Sequence, residues 1–206
     1  MNILRGFPKR YEGEPPAGGE GWLANYAKAI AMIDSGGIVV MYGGHGTGKT
    51  RMAWEIAKNH KSVNPNESVG GVGFTQSTVK RPMLYTTAVE LFSDIKSSYH
   101  PASEHPESVV VAKYVDCALL IIDEIQERAE TDFENSKLTG IIDKRYRYKR
   151  PTVIISNYTR EKLAASLSSA VIDRIRENGC GLAFTWGSYR IPKHTQNECR
   201  NDNSRN

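Results

Sequence analysis

The chain has 206 residues and a mass of 22.9 kDa, with 39% hydrophobic and 24% charged residues and a formal net charge of +4. That length predicts one domain with a proper core, and the mild basicity permits nucleic-acid contact without demanding it. No apolar run approaches the roughly 18 residues of a membrane span, MNILRGFPKR lacks a signal peptide's apolar region, and three cysteines without metal spacing suit a reducing cytoplasm rather than a disulfide scaffold.

Residues 1–21 are rich in glycine and proline and predict an N-terminal arm or an ordered edge loop without regular elements. Its Phe7 and Tyr11 either tuck onto the domain or dock on a partner. Residues 22–35 carry apolar side chains at 22, 23, 26, 27, 30 and 33, which is helix period, and Gly36-Gly37 stops the run. The stretch 38–50, IVVMYGGHGTGKT, then reads as a buried strand, a glycine-rich turn and a helix start. Gly43, Gly48, Lys49 and Thr50 stand in the fixed places of G-x-x-x-x-G-K-[ST]. A phosphate needs inward-facing N–H groups that bulky side chains would block, and the helix start adds unpaired donors and a positive dipole end. The expected nucleotide-binding set is Gly43, Gly44, His45, Gly46, Thr47, Gly48, Lys49, Thr50 and Arg51. Lys49, expected at a solvent-facing turn, reaches the β- and γ-phosphates of ATP, and the Thr50 hydroxyl ligates Mg²⁺.

A helix over 50–60 follows, then a polar loop or hairpin over 61–80, a strand over 83–86 and a helix over 88–98 capped by Thr86 or Thr87. Residues 108–115 form a short helix, with a strand as the alternative for their valine run. CALLIIDE (117–124) is a strand ending in two carboxylates, which places Asp123 and Glu124 at the sheet crevice. Asp123 is the candidate metal ligand beside Thr50, and Glu124 the candidate base for an attacking water. The helix predicted over 132–149 ends in the densest basic-aromatic patch of the chain. Lys144, Arg145, Arg147 and Lys149 are candidate nucleic-acid contacts, and a solvated helix end is the alternative. The strand Thr152–Ser156 delivers Asn157, which either positions water near the γ-phosphate or caps. A short helix follows Thr159, a helix starts at Ser166 or Ser168 and ends at Gly179, and residues 181–186 make a last strand before a polar tail over 193–206.

The phosphate loop together with LLIIDE, RPTVIISN, AVIDRIRENG and FTWGSYR resembles the DnaC/IstB-like AAA+ ATPases, the bacterial and phage replicative-helicase loaders and their transposition-helper relatives. The resemblance covers about residues 22–191 and implies a domain over 22–192. The implied fold is a three-layer αβα P-loop NTPase of the ASCE/AAA+ type, with a parallel sheet and no helical lid domain. It implies ATP hydrolysis with Mg²⁺, self-association into a ring or helical assembly, single-stranded DNA along that assembly, and delivery of a hexameric replicative helicase, with no membrane involvement. It places an arginine finger on Arg174, with Arg176 as the alternative, and a second nucleotide-sensing arginine on Arg190. Lys49, Asp123, Glu124, Asn157, Arg174 and Arg190 form the implied catalytic set. Only about twenty residues precede the first helix, whereas bacterial loaders carry a helicase-docking domain there. A transposase-assisting ATPase of IstB type and a DNA-packaging or assembly ATPase are the competing expectations.

Overall fold

Three strands of almost uninterrupted apolar sequence lie at the centre of the molecule, as a parallel sheet covered on both faces requires. In this computed structural model, residues 4–11, 19–60 and 81–190 are described. They contain β1 (Leu4–Arg5), β2 (Ile38–Gly43), β3 (Met83–Thr87), β4 (Leu120–Asp123), β5 (Thr152–Ser156) and β6 (Gly179–Phe184). All pairings are parallel, in the order β1-β3-β4-β5-β2-β6. β5 therefore lies between the strand that leads into the phosphate loop and the strand that carries the acids. Its Thr152 is in register with Ile38 on one side and Leu120 on the other.

Strand alternation sorts the side chains into two cores. Val39, Met41, Ile121, Val153 and Ile155 pack with α1 (Glu20–Asp34) and α2 (Lys49–Asn59). Ile38, Val40, Leu120, Ile122 and Ile154 face α3 (Ala88–Ser97), α4 (Glu107–Asp116), α5 (Asp132–Arg147), α6 (Arg160–Ser166) and α7 (Ser169–Asn178). The result is the three-layer αβα arrangement with an ASCE strand order. Each fully buried aliphatic side chain stabilises it by about 1.5–3 kcal/mol.

Local signals set most helix ends. Thr87 starts α3 in a capping box: the Glu90 amide donates to its hydroxyl at 3.2 Å, and its own amide donates to the Glu90 carboxylate at 2.9 Å. Thr131 caps α5, and Ser168 caps α7. The Gly36 and Gly37 amides return to the carbonyls of Ile33 and Met32, closing α1. The valine run before Cys117 is helical, with Tyr114 and Val115 buried. β6 begins two residues earlier than the predicted strand at 181, because α7 passes into it at Gly179 with no intervening turn.

The arm differs most from expectation. Leu4 and Arg5 pair with Met83 and Leu84, Lys9–Tyr11 forms a 3-10 turn, and α1 begins at Glu20. A two-residue edge strand needs only the free backbone groups of β3, not an apolar pattern, so composition does not signal it. Phe7 tucks onto the domain, its ring 4.5 Å from that of Tyr85 and 5.1 Å from that of Trp54. The loop expected over 61–80 and the tail expected over 193–206 lie outside the described residues.

The basic patch is divided by burial. Arg145 is fully enclosed, so it is not a nucleic-acid contact. Its guanidinium donates to the Thr152 hydroxyl and to the carbonyls of Tyr114, Val115, Cys117 and Pro151, at 2.6–3.0 Å. It thereby fastens the end of α5 to the end of α4 and to the entry of β5. Lys144, Arg147 and Lys149 remain exposed, with Arg147 paired to Asp143. Arg145→Met leaves four buried carbonyls without this donor and is expected to destabilise the domain by about 3–5 kcal/mol in urea unfolding. Arg145→Lys keeps the charge but loses the planar fork, and is expected to recover less than half of that. Unchanged unfolding midpoints for both variants would contradict the clasp.

Candidate active site

The phosphate loop runs from the end of β2 to the start of α2. Gly46 sits at φ +75°, and a Cβ there would fall 2.0 Å from the Ser188 hydroxyl oxygen. That closeness arises because the segment after β6 is stitched to the loop. The Tyr189 amide donates to the Gly46 carbonyl and the Trp186 indole to the Thr47 carbonyl, both at 2.9 Å.

Lys49 is not at a solvent-facing turn. It is 5% exposed, and its ammonium donates to the carbonyls of Gly43 at 2.7 Å and Gly44 at 2.6 Å. Burial lowers its pKa from 10.5 to about 8, against an opposing pull from Asp123 and with a further lowering by Arg190. The side chain thus folds back over its own loop, as the α2 start places it within reach of the β2 end.

Across the cavity, β4 delivers Asp123, whose carboxylate is 4% exposed by residue and fully engaged. One oxygen accepts from the Thr50 hydroxyl at 2.7 Å and the Tyr85 hydroxyl at 2.9 Å, and the other from the Glu124 amide at 2.7 Å. Glu124 lies at φ +52°, the left-handed region that non-glycine residues seldom occupy and that Glu130 and Lys149 also adopt in this chain. Its pKa is raised, first by burial and then by the charges of Asp123 and Glu127. A raised carboxylate pKa suits a proton acceptor. The Asn157 amide and the Ser156 hydroxyl both donate to the Gln126 side-chain oxygen, at 3.0 and 3.2 Å, which ties the end of β5 to the turn after Glu124.

These groups line one cavity of about 330 Å³, which contains His45 to Arg51, Asp123, Glu124, Asn157 and Arg190. Gly43 and Gly44 lie beneath, as acceptors for Lys49. Arg51 lines it too, with its guanidinium given to Glu55 at 2.5 Å and to the Tyr11 carbonyl at 2.9 Å. Arg10, Tyr11, Tyr85 and Tyr189 also line it and were not predicted. Tyr189 stood beside the predicted Arg190 in FTWGSYR, whereas Arg10 and Tyr85 carry no motif. Arg174 does not line this cavity. It donates to Asp143 at 3.1 Å and Glu177 at 3.5 Å and stacks on Tyr146 at 4.7 Å. Arg176 pairs with Asp173.

Thr50 and Asp123 bring two hard oxygen donors together beside the phosphate loop, which fits Mg²⁺. Among the described residues no cluster of three or more His, Cys, Asp or Glu side chains could hold a metal alone. Two protein oxygens completed by phosphates and water match the way Mg²⁺ is usually bound at nucleotide sites.

The chain matches the family described as IstB-like ATP binding protein over residues 23–197. It is 31% identical over 144 residues to the replicative helicase loader DnaC of Buchnera aphidicola subsp. Baizongia pistaciae, covering 69% of this chain and 58% of that one. It is 30% identical over 111 residues to DnaC of Escherichia coli K12, covering 53% and 45%. The chain thus spans about half the length of these curated relatives. In fold it is similar to domain III of the Thermotoga maritima replication initiation protein DnaA, with TM-score 0.63, 18% identity, and 84% and 65% of the two chains covered. A DnaC helicase loader structure superposes with TM-score 0.61 and 16% identity, covering 85% of this chain and 99% of that one.

The pKa of Lys49 carries a prediction. If phosphate oxygens replace the carbonyls they would restore the ammonium, so nucleotide binding would take up a proton wherever the free lysine is neutral. Uptake should be roughly 0.9 proton at about pH 9 and under about 0.2 at about pH 7, and affinity should fall as pH rises above about 8. Calorimetry in buffers of different ionisation enthalpy measures this, and equal uptake at both pH values counts against it.

Proposed function

Because the chain belongs to the IstB-like ATP-binding family of DnaC-type AAA+ P-loop NTPases, we propose that it is an ATP-hydrolysing helicase loader that works as an assembly. The carrying observation is the convergence of Lys49, Thr50, Asp123, Glu124, Asn157 and Arg190 on one cavity. In this reading ATP enters with its phosphates against the loop amides and the start of α2. Lys49 leaves the carbonyls of Gly43 and Gly44 for the β- and γ-phosphates. Thr50 and Asp123 hold Mg²⁺, which when bound offsets charge on the phosphate oxygens. Glu124 takes the proton of the attacking water, Asn157 orients that water, and Arg190 contacts the phosphates from the same chain. Lys49, Arg190 and the Mg²⁺ that Thr50 and Asp123 would hold offset the negative charge on the phosphate oxygens, which is the main catalytic resource in phosphoryl transfer.

Arg174 is the proposed finger for a neighbouring subunit's nucleotide. Its ion pairs with Asp143 and Glu177 hold it outside its own cavity, so it acts only where assembly offers a γ-phosphate in their place. The exposed Lys144, Arg147 and Lys149, beside the 64% exposed ring of Tyr148, are the proposed contacts for single-stranded DNA. The relatives described as replicative helicase loaders support a hexameric helicase as partner, and a cytoplasmic setting goes with that role. The family description also supports a transposase-assisting ATPase with the same catalytic groups. Recovery of the helicase or of a transposase with the tagged chain separates the two.

Two variants test the chemistry. Glu124→Gln keeps ATP affinity within about twofold but lowers turnover about a hundredfold or more, since an amide orients water without accepting its proton. Turnover near the parent rate removes Glu124 from the role of base. Arg174→Ala likewise lowers turnover on the order of a hundredfold at unchanged ATP affinity. Mixed with Lys49→Ala subunits it regains activity, because one subunit supplies the intact site and the other the arginine. A mixing curve that never exceeds the sum of the two variants, with mixed assembly verified, rules out a finger acting between subunits.

A further inference from the structure

The arm that precedes the ATPase core reaches the cavity through a defined path. After β1, Gly6 turns at φ +86° directly against β3, where a Cβ would fall 2.2 Å from the Tyr85 carbonyl oxygen. Phe7 then packs between the rings of Tyr85 and Trp54. The 3-10 turn Lys9–Tyr11 follows, and the Tyr11 carbonyl accepts from Arg51 on α2. The turn is therefore anchored at both ends, and it presents Arg10 to the cavity on the side of β3, next to the strand that carries Asp123.

The chemistry of Arg10 is unusual for a surface arginine. Among the described residues no carboxylate lies within ion-pair distance of it. Its guanidinium lies 4.9 Å over the Tyr11 ring, and one nitrogen donates to the Tyr11 hydroxyl at 2.9 Å. That contact orients the plane and leaves most of its five donors unused. Its charge reaches Glu124, whose raised pKa it partly opposes. Arg190 enters the same cavity from the segment stitched to Gly46 and Thr47, and its charge acts on Lys49. The two cations thus come from different chain segments, one acting on the carboxylate side and one on Lys49.

We propose that Arg10 is a nucleotide-contacting residue that reads the terminal phosphate of ATP from within its own chain, and that Phe7 is the positioning residue that holds it there. This rests on the reading of the cavity as an ATP site. Arg10 shares the cavity with Glu124 and its charge acts on that carboxylate, the side on which this reading puts the γ-phosphate, a group that ADP lacks. A fork of donors matches phosphate oxygens better than an ammonium does. Docking of the arm then becomes part of telling ATP from ADP, in addition to any arginine supplied by a neighbour.

Binding of ATP and ADP to a Glu124→Gln background, which suppresses hydrolysis during measurement, tests this. Arg10→Ala is expected to weaken ATP about tenfold or more and ADP less than about twofold. Arg10→Lys recovers only part of the loss. Phe7→Ala is expected to give the same selective loss, and the double variant no more than either alone, because both remove one contact. Equal losses for ATP and ADP, no loss, or additive effects of the two substitutions overturn the proposal. A background protein that binds neither nucleotide overturns the ATP-site reading and this inference together. One that binds both, with Arg10→Ala unchanged, overturns the inference alone.

Discussion

The hydrogen bond from the Thr50 hydroxyl to the Asp123 carboxylate joins two motifs 73 residues apart, and the whole sheet order is what makes it possible. β5 separates β2 from β4, so the loop and the acids cannot meet through adjacent backbones. They meet because both strands end at the same edge, one leading into a helix and the other into a tight left-handed residue. The cavity is the gap above β5, and Asn157 is the side chain that this intervening strand contributes to it. Strand order therefore fixes which chemical groups can face a phosphate and at what separation.

Two buried cations solve the same solvation problem with opposite consequences. Arg145 and Lys49 each replace water with backbone carbonyls. For Arg145 the acceptors come from two chain segments, the end of α4 and the entry of β5, and surround a fork whose geometry only arginine supplies, so the arrangement is permanent. For Lys49 the acceptors are two carbonyls of its own loop, and burial holds its pKa down. In the proposed function that site is a resting place, to be left when phosphate oxygens arrive. The same physical device thus serves as a structural fastening at the foot of the sheet and, in the proposed function, as a switchable one at its head.

Much of this was legible in the sequence because it depends on local rules. Apolar runs gave β2, β4 and β5, and the glycine spacing with Lys49 and Thr50 located the loop. The threonines at 86 and 87 signalled a helix start, and the structure gives the cap to Thr87. What was not legible depends on partners distant in sequence. Nothing in the run from Lys144 to Arg150 distinguishes Arg145 from its neighbours, since its burial follows from where α4 and β5 happen to end. Lys49 is buried rather than solvent-facing because the loop's curvature, not its composition, turns two carbonyls toward the ammonium. Tyr85 and Arg10 escaped for a similar reason: the first is a residue of an ordinary strand and the second belongs to a short edge segment without periodicity. The partners that hold Arg174 away from its own cavity, Asp143 and Tyr146, lie 31 and 28 residues before it and carry no local signal.

The bond from the Trp186 indole to the Thr47 carbonyl gives the protein an optical property. The chain has three tryptophans, and all lie around the loop and the helix that follows it. The Trp22 indole nitrogen borders Gly48, Trp54 is in α2 against Phe7, and Trp186 is bonded to the loop itself. An indole hydrogen-bonded to a backbone carbonyl emits according to the local field and to the solvent around it. The tryptophans of this chain are therefore concentrated at one place, so their emission is a label-free probe of the loop and its surroundings.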